Sequence, residues 1–309
     1  MDKAPQSASL ASQFLEEVVR LSPTQNIQKH LTKEKIKLAF SMRPMTYDMT
    51  QVYMLCPVEK NTLGSLTYYS WGALKEEAQC IIIYLHGGGY ILQPKLPHFL
   101  LLNELTEALK KNCHFVFPIY PKAPDYQFEE AYQKLLALYE KYLTEVGKRK
   151  FVFMGDSAGA TLALGLCYAA RAEKLPSPHR LEIYSPWLDL KNRHLQQEKE
   201  AEQDVLLNLH SMRLAGELWL GSGQADDPRV SPLFADPELL PPVDLFVGTH
   251  DLLFPDVCQY AKKLAAAQKL ASFTKAPKGP HDYALLPTPE GILARQKTID
   301  QVQKMLRET

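Results

Sequence analysis

The chain has 309 residues, 46% of them hydrophobic and 23% charged, and its 35 basic and 35 acidic side chains cancel to a formal net charge of zero. This is the composition of an ordinary globular protein, and the neutral balance excludes the broad basic field that nucleic acid or acidic lipid would need. The length exceeds the usual single domain, yet large α/β folds reach it as one unit, so one domain over residues 1–309 with an elaboration is expected.

The five cysteines, Cys56, Cys80, Cys113, Cys167 and Cys258, are scattered and form no Cys-x-x-Cys pair. An odd, dispersed set argues against a disulfide framework or a metal site and fits a reducing compartment. The N-terminus lacks an unbroken apolar leader, and no stretch reaches the roughly 18 apolar residues of a membrane span. The chain therefore reads as soluble and cytoplasmic.

In chain order, Leu10, Phe14, Val18 and Leu21 fall at helical spacing, and a second helical stretch is expected at 24–40. Val52 to Cys56 and Leu66 to Trp71 are rich in strand formers and read as an opening antiparallel pair. Strands then follow near 80–85, 114–119, 150–155, 180–184, 243–248 and 272–277. Helices fall between them near 98–111, 128–146, 157–173 and 254–270, with a last one near 290–307. Continuous apolar strands alternating with helices predict a mostly parallel sheet covered on both faces, with its site at the carboxyl ends of the strands. An edge strand near 272–277 could pair two copies into a homodimer.

Two segments sit at such ends. Ile81 to Leu85 leads into His86-Gly87-Gly88-Gly89-Tyr90, and Phe151 to Met154 leads into Gly155-Asp156-Ser157-Ala158-Gly159. Gly-x-Ser-x-Gly between strand and helix is the nucleophile elbow, whose tight turn lifts the serine hydroxyl clear of the sheet. A tri-glycine loop offers bare backbone N–H groups that can approach a developing oxyanion. A lone tri-glycine is more often a flexible turn and a lone Gly-x-Ser-x-Gly can occur by chance; both together, each after a strand and in this order, indicate a serine hydrolase.

A serine nucleophile needs a base held by a third group, and on this scaffold the order is Ser, then Asp or Glu, then His. His281 is the only histidine after Asp251, and it lies in Gly279-Pro280-His281-Asp282, just past the last expected strand. Asp251 caps the strand Leu245 to Gly248 and is the expected acid, with Asp256 as its rival; Asp251 also suits a helix N-cap. Asp189 follows the wrong strand, Asp244 opens its strand at the far end, and Asp282, adjacent to His281, is expected to diverge from it. His86 reads as a brace for its loop, and His98 and His250 as surface or core residues. As base, His281 predicts activity rising with pH through one apparent pKa near neutrality.

Some fifty residues separate the strand ending in Ser185-Pro186-Trp187-Leu188-Asp189 from the one starting at Val243. They hold a charged run, Lys191 to Asp204, that reads equally well as a solvated excursion, then a helix-like segment from Leu206 to Leu220. An insertion at this edge overhangs the site, so residues about 1–45 and 190–230 are expected to form a helical cap.

These residues resemble the hormone-sensitive-lipase-like family of α/β-hydrolase carboxylesterases, from about residue 78 to 285. HGGGY is similar to that family's HGGG-aromatic signature, and GDSAGA is its form of the elbow. IYPKAPDYQFEEAY and SPLFADPELLPPVDLFVGTHDLLFPD resemble further family segments, whereas Pro121-Lys122 and Asp125 depart from the first of them. GPHDY matches the family's His-Gly-aromatic ending only loosely. The resemblance implies an α/β-hydrolase fold with an eight-stranded, mostly parallel sheet and a helical cap. It also implies an oxyanion hole from the N–H groups of Gly88, Gly89 and Ala158, and hydrolysis of short- to medium-chain acyl esters with no metal or organic cofactor. Tyr90, Leu92 and Trp187 are placed in the acyl or alcohol pocket, where core packing would explain them as well. Two other readings stay open: an amide hydrolase (arylformamidase or peptidase-like) on the same triad, and a non-catalytic ligand binder, against which the presence of His281 argues.

Overall fold

The computed structural model describes residues 8–13, 17, 31–36, 50–193 and 204–308. Phe14, Val18, Leu21, most of the 24–40 stretch and the charged run over 194–203 lie outside the described residues. Eight strands form one sheet: β1 (Glu59–Leu63), β2 (Leu66–Gly72), β3 (Cys80–Leu85), β4 (Cys113–Ile119), β5 (Lys150–Asp156), β6 (Arg180–Tyr184), β7 (Val243–Gly248) and β8 (Leu270–Ala276), in the order β1-β2-β4-β3-β5-β6-β7-β8. β1 and β2 pair antiparallel with each other and β2 antiparallel with β4, and every later pairing is parallel. The edge expected near 272–277 is β8.

Besides helical residues at 10–13, 17 and 33–36, the described helices are α1 (Thr50–Tyr53), α2 (Leu96–Leu109), α3 (Phe128–Val146), α4 (Ser157–Ala172), α5 (Leu209–Leu220), α6 (Phe254–Ala266) and α7 (Pro289–Arg307). Alternation along the strands divides the core between them. Ile81, Ile83, Phe151 and Phe153 pack with α3, α4 and α6 on one face. Ile82, Tyr84, Val152 and Met154 pack with α2 and α7 on the other. Both residue sets are buried, which is why these strands carry no polar stripe.

One early expectation is corrected. Val52 to Cys56 is not a strand: Thr50–Tyr53 is a helical turn, and β2 pairs instead with Glu59–Leu63 across a turn at Gly64. Packing decides against propensity there. The Tyr53 ring lies 5.3 Å from Phe99 of α2, and the Asn103 side chain accepts from the Leu55 N–H at 2.8 Å and donates to the Tyr53 carbonyl at 3.0 Å.

Two segments of the expected cap region lie against each other. His210 Nε2 is 2.9 Å from the Leu31 carbonyl, and Lys33 pairs with Glu217 of α5 at 2.5 Å. Further towards the N-terminus, the Ser9 and Ser12 hydroxyls donate to Glu290 at the start of α7, at 2.9 and 2.6 Å. Among the described residues no helix is long and apolar enough to cross a membrane.

Candidate active site

Four loops at the carboxyl ends of β3, β5, β7 and β8 build the site. β5 runs straight into α4, and Ser157 at the junction takes φ +51, a left-handed conformation that a non-glycine residue holds only when its surroundings over-determine it. The elbow can be this tight because Gly159 lies under β3: a Cβ there would sit 2.0 Å from the Leu85 carbonyl oxygen. On the other side, the β7 and β8 loops meet backbone to backbone. A Cβ on Gly248 would fall 2.0 Å from the Gly279 carbonyl, and the His250 N–H donates to that same oxygen at 3.0 Å. This contact carries the turn holding Asp251 against the turn holding His281.

The result is a line of three side chains. His281 Nε2 lies 2.8 Å from Ser157 Oγ, and His281 Nδ1 lies 3.0 Å from Asp251 Oδ2. Asp251 Oδ1 accepts the Leu253 N–H at 2.8 Å, which fixes the carboxylate plane. All three residues are buried. With Nδ1–H donated to Asp251, Nε2 is left to accept from the serine hydroxyl. Asp256, the rival acid, lies in the first turn of α6, and Asp189 and Asp244 are engaged elsewhere: Asp189 with Arg193 after β6, and Asp244 with Arg180 and Ser272 at the far end of the sheet.

The tri-glycine loop is braced from beneath. The Gly87 N–H donates to Asp156 Oδ2 at 3.0 Å, while Asp156 Oδ1 accepts from the Tyr84 hydroxyl at 2.5 Å. His98 Nε2 closes the cluster at 3.2 Å from Asp156 Oδ2; burial would lower this imidazole, but the carboxylate outweighs it and raises its pKa. His86 is fully buried, its ring stacked 4.7 Å from Tyr120, and burial together with the nearby Lys122 ammonium keeps it neutral. These contacts leave Gly88 and Gly89 facing the cavity beside Ser157 and place Ala158 in the first turn of α4, where amides lack intrahelical partners.

A cavity of about 710 Å³ opens above the serine. Leu92 and Trp187 line it, as do Leu31 and Ile36 from the N-terminal segment and Leu206 and Met212 from the insertion. Tyr90 does not line it. At φ +63 its ring turns inward, fully buried, and stacks 4.5 Å from Trp219 and 5.5 Å from Trp187, so it forms the layer behind the wall.

Two residues at the candidate site escaped the sequence reading. Asp282 does not diverge from His281: at φ +53 and ψ +32 its carboxylate folds back, and Oδ2 sits 3.2 Å from His281 Nε2. Burial alone would lower His281, but the Asp282 carboxylate and then Asp251 overcome it and hold the imidazole well above the ordinary histidine value. Burial likewise pushes the Asp282 carboxyl up, to about 7, against the pull of His281. Asp204 accepts the Leu206 and Leu207 N–H groups on one oxygen and the Leu252 N–H on the other at 2.7 Å, tying the insertion to the acid turn; burial and then the Asp251 charge raise it to about 6. His98 is a buried, satisfied histidine as expected, and, held by Asp156, it also lines the cavity. An acidic residue beside His281 was the one visible signal; the backbone conformation that turns it inward was not.

Comparison with known proteins agrees with this architecture. A family model described as alpha/beta hydrolase fold matches residues 82–285, which include both glycine segments and His281. The chain is 30% identical over 195 residues to an esterase of Acinetobacter venetianus, covering 62% of this chain and 64% of the relative. It is 28% identical over 214 residues to a triacylglycerol lipase of Mycobacterium tuberculosis, covering 69% of this chain and 44% of the relative. The chain thus spans under two thirds of the length of these relatives. A solved hormone-sensitive lipase from a metagenome library superposes with a TM-score of 0.78 over 97% of this chain and 100% of its own, at 20% identity, a likeness of fold.

Proposed function

The chain belongs to the α/β-hydrolase fold family, and from that premise we propose that it is a serine carboxylesterase cleaving short- to medium-chain acyl esters through an acyl-enzyme. The observation that carries the reading is the serine–imidazole–carboxylate line, at 2.8 and 3.0 Å, beside glycine amides and open to an apolar cavity. Ser157 Oγ attacks the ester carbonyl while His281 Nε2 takes its proton and Asp251 stabilises the imidazolium. The N–H groups of Gly88, Gly89 and Ala158 receive the oxyanion. His281 then protonates the departing alkoxide, and water repeats the sequence on the acyl-enzyme to release the acid and free the serine. The chain's own groups supply the nucleophile, the proton transfers and the charge stabilisation, and water is the one co-reactant. The names of the matched esterase and lipase support the same substrate class.

In this reading the N-terminal segment and the insertion form a cap that closes the acyl end of the cavity with Leu31, Ile36, Leu206 and Met212. Initial rates on nitrophenyl esters of two to twelve carbons should favour chains of roughly two to eight carbons, because a cavity of about 710 Å³ is of the size class that admits one small ligand. Removing residues 1–40 should flatten that profile and raise KM. An unchanged profile in the truncated protein would contradict the cap, and no turnover of any ester would contradict the activity. Turnover of the matching anilides at equal rates would instead favour amide hydrolysis.

The pH profile is a second test. His281 must be neutral to act as base, so activity is lost as pH falls through its pKa. Because Asp282 and Asp251 raise that pKa, the rising limb of kcat/KM should lie above the ordinary histidine range, not near neutrality as the sequence alone suggested. Asp282 and His281 titrate as a pair, and Asp282→Asn, which removes the extra charge, should move the limb to lower pH. A limb that stays where it was would show that Asp282 does not bear on the imidazole.

A further inference from the structure

The second carboxylate on His281 has no part in the hydrolytic steps, yet it occupies the side of the imidazole from which the leaving group must be protonated. Resting on the esterase reading, we propose that Asp282 is a substrate-recognition residue that accepts a hydrogen bond from a hydroxyl on the alcohol portion of the ester, next to the ester oxygen, so that the preferred substrates are monoacyl esters of vicinal polyols.

Three observations converge. First, Asp282 Oδ2 lies 3.2 Å from His281 Nε2, the same atom that lies 2.8 Å from Ser157 Oγ. Nε2 must come within hydrogen-bond reach of the departing oxygen to protonate it. A hydroxyl on the adjacent carbon of the alcohol is thereby carried to the Asp282 carboxylate, while a substituent on the acyl side is not.

Second, Asp282 lines the cavity together with Ser157 and His281, and its side chain stays 18% exposed there although Oδ1 itself is buried without a hydrogen-bond partner. An ionised carboxylate oxygen has more than one lone pair, so Oδ2 beside His281 Nε2 can accept a further hydrogen bond from a substrate hydroxyl. Its neighbours leave that capacity open: His281 flanks Asp282 on one side, the like charges of Asp156 and Asp251 lie near it, and the His98 imidazole, which also feels the Asp282 charge, is engaged by Asp156.

Third, the position is built for the purpose at a conformational cost. Asp282 holds a left-handed backbone conformation (φ +53), which turns the carboxylate inward, and its N–H is fixed by Ser185 Oγ at 3.1 Å. The contact also has a consequence for turnover. With no donor in the site, the carboxylate faces Nε2 and favours the protonated imidazole, the form that cannot act as base. A substrate hydroxyl that hydrogen-bonds Asp282 draws its charge away from Nε2 and frees the imidazole to take the serine proton. The same hydrogen bond therefore both selects the alcohol and favours the reactive state.

The test compares three butyrate esters of nearly equal size: 2-hydroxyethyl, n-propyl and 2-methoxyethyl, the last polar but without a donor. The unaltered protein should show kcat/KM for the hydroxyethyl ester at least about tenfold above both others, as expected when an acceptor at the site is left unpaired by the analogue. In Asp282→Gly, a substitution that suits the left-handed backbone, the ratio should fall to near one. Asp282→Asn, which keeps the shape and one acceptor, should fall between. Each ratio is internal to one preparation, so a loss of folded protein does not move it. Equal hydrolysis of all three esters by the unaltered protein, or a preference that survives in Asp282→Gly, would overturn the proposal. No hydrolysis of any of the three by the unaltered protein would instead overturn the esterase reading on which it rests.

Discussion

Ser157→Ala is expected to lower kcat on the order of 10⁶-fold while leaving the melting temperature nearly unchanged, because loss of a triad nucleophile removes the covalent route altogether. The hydroxyl has one described side-chain partner, His281 at 2.8 Å. Its removal opens no cavity of consequence, and alanine tolerates the elbow conformation no worse than serine does. Steady-state rates on a nitrophenyl ester, with thermal unfolding of the same sample, check both halves. Retention of more than a few per cent of the activity would contradict the role given to Ser157.

Asp251→Asn is expected to cost on the order of 10⁴ in kcat. The carboxylate accepts from Nδ1–H at 3.0 Å and so holds Nε2 free of its proton. A carboxamide turned to Nδ1 can offer its own N–H there, which favours the tautomer protonated at Nε2 and leaves nothing to accept the serine proton. Asp256→Asn should cost far less, since Asp256 sits in the first turn of α6 and not on the imidazole. The two variants measured side by side decide between the acids; the reverse ranking would show the choice to be wrong.

The parts of the molecule that were legible in sequence are those governed by local pattern or by chain order. β3 and β5 are continuous apolar runs because both faces of the sheet are covered, and the segments that follow them break into glycine where the backbone must turn sharply. Ser157, Asp251 and His281 could be picked out as candidates because the order of nucleophile, acid and base leaves one late histidine, and the fold brings their side chains together at 2.8 and 3.0 Å. What stayed hidden depended on tertiary contact. Thr50–Tyr53 has strand-forming residues, yet Phe99 and Asn103 hold it as a helical turn. Asp204 ends a charged run that reads as solvated surface, and only the fold brings its carboxylate to the Leu252 N–H. Tyr90 looks like pocket lining beside three glycines, but its positive φ sends the ring behind the wall, onto Trp219. Asp282 was set aside because neighbouring side chains in a turn usually part, and the left-handed backbone that reverses this is not written in residue type.

The most direct test of the covalent serine mechanism is reaction with a fluorophosphonate, followed by intact mass and peptide mapping. The phosphonate mimics the tetrahedral intermediate and is captured only by a serine that is activated by its base and faced by an oxyanion hole. The account predicts one equivalent of adduct, located on the peptide containing Ser157, with loss of ester hydrolysis in proportion and no labelling of Ser157→Ala. Labelling at another residue, or an ester hydrolase that keeps its full rate while Ser157 carries the adduct, would contradict it.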